Sequence, residues 1–260
     1  MSPNEPNSKN LIWLFSGTSD GNAIGLRLIE EGYFIKLFVA SDYGKDVALK
    51  SFSADVIHTG RLNREQLFQK EKIDQPQIVL DATHPFAVEI SANLIELCNQ
   101  TSASYIRFER PNDLPSDKNI HVVGNYQEAA RKANELGNRI LLTTGSKEID
   151  HFLNARIEGE LFLRMLPHPE LLQKVKTKGM NPKNIVAMQG PFSVETNKNL
   201  IERWRIDCLV TKASGKEGGL LDKIEAARIC GIPIVIIDRP HIDYPVVFNG
   251  VDPLLHYLRE

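Results

Sequence analysis

A chain of 260 residues allows one large domain or two smaller ones, and 42% hydrophobic with 25% charged residues is ordinary for a soluble globular protein. The formal charge of −2 leaves no global basic field to draw in nucleic acid, so a polyanionic ligand would have to meet locally gathered cations. Residues 1–10 are polar and expected to be a disordered tail without the apolar core of a signal peptide, and no apolar run approaches the ~20 residues of a membrane span. Cys98, Cys208 and Cys230 lack C-x-x-C spacing and read as buried filler in a reducing, cytoplasmic setting.

The first predicted element is an apolar run over residues 11–15 that stops at Ser16-Gly17-Thr18-Ser19-Asp20-Gly21. A helical pattern follows, with Ile24, Leu28 and Ile29 expected on one face. This is a buried parallel strand, a tight turn and a helix whose first N–H groups point back over the turn. Two readings fit. Gly17 and Gly21 permit close backbone approach and the helix end attracts a phosphate; equally, many α/β domains simply begin this way. Ser16 and Ser19 depart from the strict G-x-G-x-x-G pattern.

A second strand over 34–40 ends at Ser41-Asp42, and a third over 56–58 leads into Thr59-Gly60-Arg61. At the adenosine end of a dinucleotide fold, Asp42 would favour a free ribose 2′-hydroxyl, whereas Ser41 and Arg61 would favour a 2′-phosphate. A helix from 64 and a strand over 77–82 run into Thr83-His84-Pro85-Phe86, a polar loop that in a 3-2-1-4-5 sheet lies beside the first turn. A fifth strand, 105–108, precedes Glu109-Arg110-Pro111.

Residues 112–119 read as a linker between an N-terminal Rossmann-like domain (11–111) and a C-terminal one (120–260). The second half repeats the rhythm with strands at 120–123, 140–143, 161–165, 185–188, 208–210 and 234–237, each closing in a polar turn. The expected fold is α/β: two doubly wound, mainly parallel sheets whose strand ends face a central cleft. Arg61, Arg110, Lys147, Arg164, Lys212, Lys216 and Arg239 would supply its cations. His84, His168 and Lys212 have suitable chemistry for acid catalysis, but spacing alone does not single out any of them. The seven scattered histidines show no metal-ligand spacing, so no protein-bound metal is expected. Composition and periodicity stop short of naming a reaction.

Several turns together resemble the precorrin-6A reductase family of cobalamin biosynthesis, including its cobalt-precorrin-6A counterpart. They include Ser16-Gly-Thr-Ser-Asp20, Thr59-Gly-Arg-Leu62, Asp81-Ala-Thr-His-Pro-Phe-Ala87, Arg107-Phe-Glu-Arg-Pro111, Leu142-Thr-Thr-Gly-Ser146, Arg164-Met-Leu-Pro167, Gln189-Gly-Pro-Phe-Ser193 and Thr211-Lys-Ala-Ser-Gly215. Ser16 stands where the family usually has a second glycine, and Asp20 where it has a glutamate.

The resemblance implies an NADPH-dependent reductase that passes hydride to a ring carbon of a carboxylated tetrapyrrole, precorrin-6A or its cobalt form, giving the dihydro product precorrin-6B or its cobalt form. It implies that Gly17, Thr18, Ser19 and Asp20 hold the pyrophosphate, with Ser41 and Arg61 at the adenosine end and Thr83, His84, Pro85 and Phe86 bordering the nicotinamide. Gln189, Gly190, Pro191, Phe192, Ser193, Lys212 and Ser214 would contact the substrate. The rival readings are an S-adenosylmethionine-dependent methyltransferase, which shares the opening motif but is disfavoured by the cations at the strand ends, a non-catalytic two-lobed sensor of an anionic metabolite, and an NAD-linked sugar-nucleotide enzyme, whose Tyr-x-x-x-Lys dyad is not evident.

Overall fold

The structure, a computed structural model, describes residues 11–17, 19–112, 114–155, 159–215 and 218–260. The tail (1–10), Thr18 and Lys216 lie outside the described residues. In chain order the elements are β1 (Leu11–Phe15), α1 (Ser19–Glu30), β2 (Phe34–Val39), α2 (Asp42–Ala48), β3 (Ile57–Thr59), α3 (Arg64–Asp74), β4 (Ile78–Asp81), α4 (Val88–Gln100) and β5 (Ser104–Phe108). There follow β6 (Ile120–Val123), α5 (Tyr126–Leu136), β7 (Arg139–Leu142), α6 (Asp150–Leu153), β8 (Glu160–Met165) and α7 (Pro169–Thr177). The chain closes with β9 (Ile185–Ala187), α8 (Val194–Arg203), β10 (Cys208–Lys212), α9 (Leu220–Ile229), β11 (Ile234–Ile237), β12 (Val247–Phe248) and α10 (Val251–Arg259). No described helix is long and apolar enough to cross a membrane.

The first sheet runs β12-β5-β4-β1-β2-β3, and its pairings are parallel. Continuous apolar strands such as Ile12-Trp13-Leu14-Phe15 are what a sheet covered on both faces requires, and all four are buried. On one face α1 packs Gly21, Ile24, Gly25 and Leu28, the i, i+3, i+4, i+7 set of a single helical stripe. Ile29, expected on that stripe, is 46% exposed, because two glycines occupy its seam and draw the helix onto the sheet. A Cβ at Gly25 would stand 2.9 Å from the Phe52 ring and 3.0 Å from a Leu14 methyl. The opposite face buries Trp13, Phe15, Phe38 and Val79 against Leu67, Leu94 and Leu97.

The second sheet runs β6-β11-β10-β7-β8-β9, again with parallel pairings. On one of its faces Phe162, Leu209, Ile234 and Ile236 pack with Ile201, Leu220, Ile224 and Ala227. The C-terminal tail departs from the expected plan. Residues 112–240 form one compact unit, while 241–260 belong with 11–111. The reason is packing: β12 adds to β5 as an edge strand, α10 buries Leu254 and Leu255 in the first core, and the Tyr33 hydroxyl donates to the Leu258 carbonyl (2.5 Å).

Candidate ligand sites at the strand carboxyl ends

In open parallel sheets the crevice for ligands lies at the carboxyl ends of the strands, where the strand order reverses. In the first unit that point falls between β1 and β4, paired from Ile12↔Ile78 to Phe15↔Asp81. Sequence distance therefore disappears: the turn after β1 and the loop 82–86 become neighbours, with Ala82 N–H donating to the Phe15 carbonyl (2.8 Å). Gly17 has nothing within 4 Å of where a Cβ would stand, so its surroundings are open. Gly21 is the reverse case, since a Cβ there would meet Ser16 Oγ at 2.3 Å. Ser16 thus lies tight under the first turn of α1, its hydroxyl donating to Asn22 Oδ1 (3.3 Å). The Asp20 carboxylate favours the helix N-terminus, yet it would repel a phosphate there. Its ion pair with Arg110, just beyond β5, offsets that repulsion.

The adenosine-end candidates also converge. The β2–β3 register pairs Val39 with Thr59, and Gly60 N–H donates to the Val39 carbonyl (2.9 Å) at a φ of +117° that favours glycine. Ser41 and Arg61 each lie two residues past that registered pair, on adjacent strand ends. Ser41 caps α2 by accepting from Gly44 N–H (3.2 Å), which leaves its hydroxyl proton for another acceptor. Asp42 is the first residue of α2.

Below the loop 82–86 lies a buried polar network that sequence reading did not assemble. Asp81, fully buried, accepts from Thr83 N–H (3.0 Å), Thr83 Oγ1 (2.7 Å), Arg107 Nη1 (2.9 Å), Ser91 Oγ (2.6 Å) and the Tyr105 hydroxyl (2.8 Å). Arg107, also fully buried, bonds Glu109 through Nε (3.0 Å) and Nη2 (2.7 Å) and lies 5.2 Å over the ring of Tyr244, from the returning tail. Burial opposes the Arg107 charge, but Asp81 and Glu109 outweigh it and hold its pKa above the ordinary value. Burial, reinforced by Asp81, keeps the Tyr105 hydroxyl protonated. The network fixes Thr83 from below. Above it, Phe86 N–H donates to His84 Nδ1 (3.2 Å), so the neutral imidazole carries its proton on Nε2. Pro85 and Phe86 complete the turn, the Phe86 ring 5.8 Å from that of His84.

In the second unit the order reverses between β7 and β10, flanked by Thr143-Thr144-Gly145-Ser146 and by Lys212-Ala213-Ser214-Gly215. The first of these loops was not among the expected contacts, although its buried Thr144 and Ser146 were visible within the family-like stretch. Lys212 is half-buried and its pKa is pushed down, mainly by burial, with Glu148 acting against that. Arg239 holds the turn by donating from Nε to the Ala213 carbonyl (3.1 Å). Gln189, Gly190, Pro191, Phe192 and Ser193 follow the edge strand β9, three strands from β10, but reach back inward. Phe192 lies on Arg164, with Cζ 4.0 Å from the ring centre, and Asn197 Nδ2 donates to the Phe192 (3.3 Å) and Ser193 (2.9 Å) carbonyls. Of the remaining cations, Lys147 is exposed beside Glu148 (3.9 Å).

Two Rossmann-like domains, each with a polar loop pair at its switch point, define the class of this protein. Across residues 11–259 the sequence matches the model of the precorrin-6x reductase CbiJ/CobK family, and the chain belongs to that family. A cobalt-precorrin-6A reductase of Priestia megaterium is 35% identical over 252 residues, which cover 95% of this chain and 98% of the relative. One from Methanocaldococcus jannaschii is 35% identical over 250 residues, 96% of this chain and 98% of the relative. Among solved structures, a CobK precorrin-6A reductase shares the fold with a TM-score of 0.76 at 23% identity, covering 96% of each chain.

Proposed function

We propose that this reductase transfers hydride from NADPH to a macrocycle double bond of precorrin-6A in its cobalt form, which also takes up a proton from water to give the dihydro product, cobalt-precorrin-6B. The observation that carries the cofactor reading is the switch point of the first unit. Its open Gly17, the close Gly21–Ser16 contact and the N-terminus of α1 suit a pyrophosphate, and Ser41 with Arg61 suits a 2′-phosphate. The cobalt-precorrin-6A reductases of Priestia and Methanocaldococcus support the cobalt-bearing macrocycle as substrate.

When bound, the nicotinamide supplies the hydride. The protein's part is positioning. Gly17 and Ser19 hold the phosphates by backbone N–H groups, and Asp20 is kept neutralised by Arg110. The Asp81 network holds Thr83 rigid, and Thr83, His84, Pro85 and Phe86 border the nicotinamide. His84 presents an Nε2–H, a donor for the substrate or the amide of the cofactor. In the second unit Gln189, Gly190, Phe192, Lys212 and Ser214 contact the acidic macrocycle. Neither a methyltransferase nor a sensor fits a family of reductases.

The test is an anaerobic assay of purified protein with cobalt-precorrin-6A and with the metal-free substrate, following NADPH absorbance against NADH. Turnover of the cobalt form with NADPH supports the proposal. NADH used equally well would overturn the 2′-phosphate reading, and preference for the metal-free macrocycle would overturn the cobalt reading.

A further inference from the structure

The second unit buries two cations that have no acid partner among the described residues. Arg164 on β8 is 5% exposed and Lys223 on α9 is 6% exposed. Among the described residues neither forms an ion pair: Arg164 donates from Nη1 to Asn197 Oδ1 (2.7 Å), and Lys223 Nζ donates to the Gly218 carbonyl (2.6 Å). A guanidinium has five N–H donors and an ammonium three, so most of their capacity is unspent. Buried charges are ordinarily paired, and an unpaired one is a burden on the fold that calls for a reason.

A third polar group belongs to the same place. The Thr211 hydroxyl on β10 is fully buried and has no hydrogen-bond partner among the described residues. The registers Val210↔Leu142 and Leu142↔Leu163, continued by one residue, align Thr211 with Thr143 and Thr143 with Arg164. Leu209 and Phe162, two residues earlier on their strands, lie in the core cluster that includes Leu220 and Ile224 of α9. Period-two alternation therefore puts Thr211 and Arg164 on the sheet face that α9 and its Lys223 cover. The cations also feel each other: burial first, then Arg164 and Lys212, bring the Lys223 pKa down to about 7.

Two loops roof this cluster. Phe192 covers the Arg164 guanidinium, and Gly218, just before α9, offers its carbonyl to Lys223. Gly218 lies so close to Ser214 that a Cβ would be 2.0 Å from its hydroxyl, and a Cβ on Gly219 would come within 3.9 Å of the Phe192 carbonyl. The roof thus consists of the same loops expected to meet the substrate.

We propose that Arg164, Lys223 and Thr211 form a carboxylate-binding site in the second unit that takes one acidic arm of the tetrapyrrole. The inference rests on the proposed function for the identity of its ligand. The arm enters beneath Phe192, is gripped by the Arg164 fork, accepts from Thr211, and replaces the Gly218 carbonyl on Lys223. A bound carboxylate gives the two cations the counter-charge that the described residues do not supply.

Uroporphyrin I, a tetrapyrrole octacarboxylate that needs no reduction to be observed, is the probe. Its fluorescence is titrated with full-length wild type, Lys223→Met and Thr211→Val, with circular dichroism confirming the folded state. NADPH affinity is measured alongside. The expected result is binding by wild type, no binding of the octamethyl ester, and affinity losses of about tenfold or more for Lys223→Met and severalfold for Thr211→Val. NADPH affinity should stay within about twofold of wild type, because that ligand is assigned to the first unit. No wild-type binding, binding of the ester equal to that of the acid, or variants that retain full affinity would each overturn the site, as would equal loss of NADPH binding. The proposed function fails separately: uroporphyrin binding that responds to these variants, in a protein that turns over no cobalt-precorrin-6A, keeps the carboxylate site and removes the reaction.

Discussion

The buried Asp81 network can be tested by a change that preserves its shape. Asp81→Asn is nearly isosteric, but it removes the negative charge and replaces one acceptor oxygen with an NH2 donor. The fully buried Asp81 now receives five side-chain and backbone donors, including Arg107 Nη1 at 2.9 Å. In the variant the Ser91 and Tyr105 hydroxyls can rotate to accept from the new amide, so their cost is small. Arg107 keeps Glu109 as its remaining carboxylate partner at 2.7 Å. The main loss is one fully desolvated charge-assisted interaction; breaking such a pair costs about 3–5 kcal/mol. Retained Glu109 pairing and the rotating hydroxyls bring the expectation to about 3 kcal/mol. Two units with separate cores need not unfold together, so the assay should isolate the first. Trp13 is buried in the first unit and Trp204 lies in the second, so urea unfolding followed by fluorescence in a Trp204→Phe background reports on the first alone. Adding Arg107→Met should restore part of the loss, since it removes the charge left behind. A loss below about 1 kcal/mol would refute the network as the support of the 82–86 loop.

Four further outcomes follow from the same geometry. Lys223 has an ordinary pKa of 10.5 that folding lowers to about 7, so the unfolded chain binds more protons between those values and stability rises as pH increases from 7 toward 10.5. The wild-type second unit should gain about 1 kcal/mol per pH unit relative to Lys223→Met across that window, read by thermal unfolding; parallel curves would exclude a buried titrating lysine. Arg61→Ala should raise the KM for NADPH about tenfold or more and barely change that for NADH, and equal effects would remove Arg61 from the 2′-phosphate. Gly21→Ala forces a methyl to 2.3 Å from Ser16 Oγ, and should lower first-unit stability by about 1–3 kcal/mol and weaken the NADPH-induced rise in Tm. Deleting 241–260 strips Leu254 and Leu255 from the first core and should abolish the Trp13 unfolding transition while the second unit still unfolds cooperatively.

How much of this was legible depended on how local each signal was. Runs such as Leu11–Phe15 and Ile234–Ile237 carry their strand assignment in their own residues, and the polar turns after them marked the strand ends where loop pairs meet. The turn at Gly17 and the loop at Thr83 were readable for that reason, and parallel pairing made them neighbours. The C-terminal return was not, because β12 has only two residues and a chain read in order gives no hint that it pairs with β5. Asp81 read only as the end of a strand, since its partners Ser91, Tyr105 and Arg107 come together only in the folded sheet. Lys223 was hidden more thoroughly. A lysine in a helix ordinarily faces water, and only the packing of α9 puts it on the buried face with Leu220 and Ile224.

The return of residues 241–260 to the first unit also sets an order of events during synthesis. Folding on the ribosome generally proceeds from the N-terminus, domain by domain. Here residues 112–240 leave the ribosome as a complete unit while the first is still missing β12 and α10. Tyr33, Glu31 and Arg107 wait for partners or neighbours translated after residue 240: the Leu258 carbonyl, Arg259 and Tyr244. The unit with the nucleotide-type turn is therefore finished after the second, and a nascent chain that stalls before residue 241 leaves a completed second unit attached to an open first one.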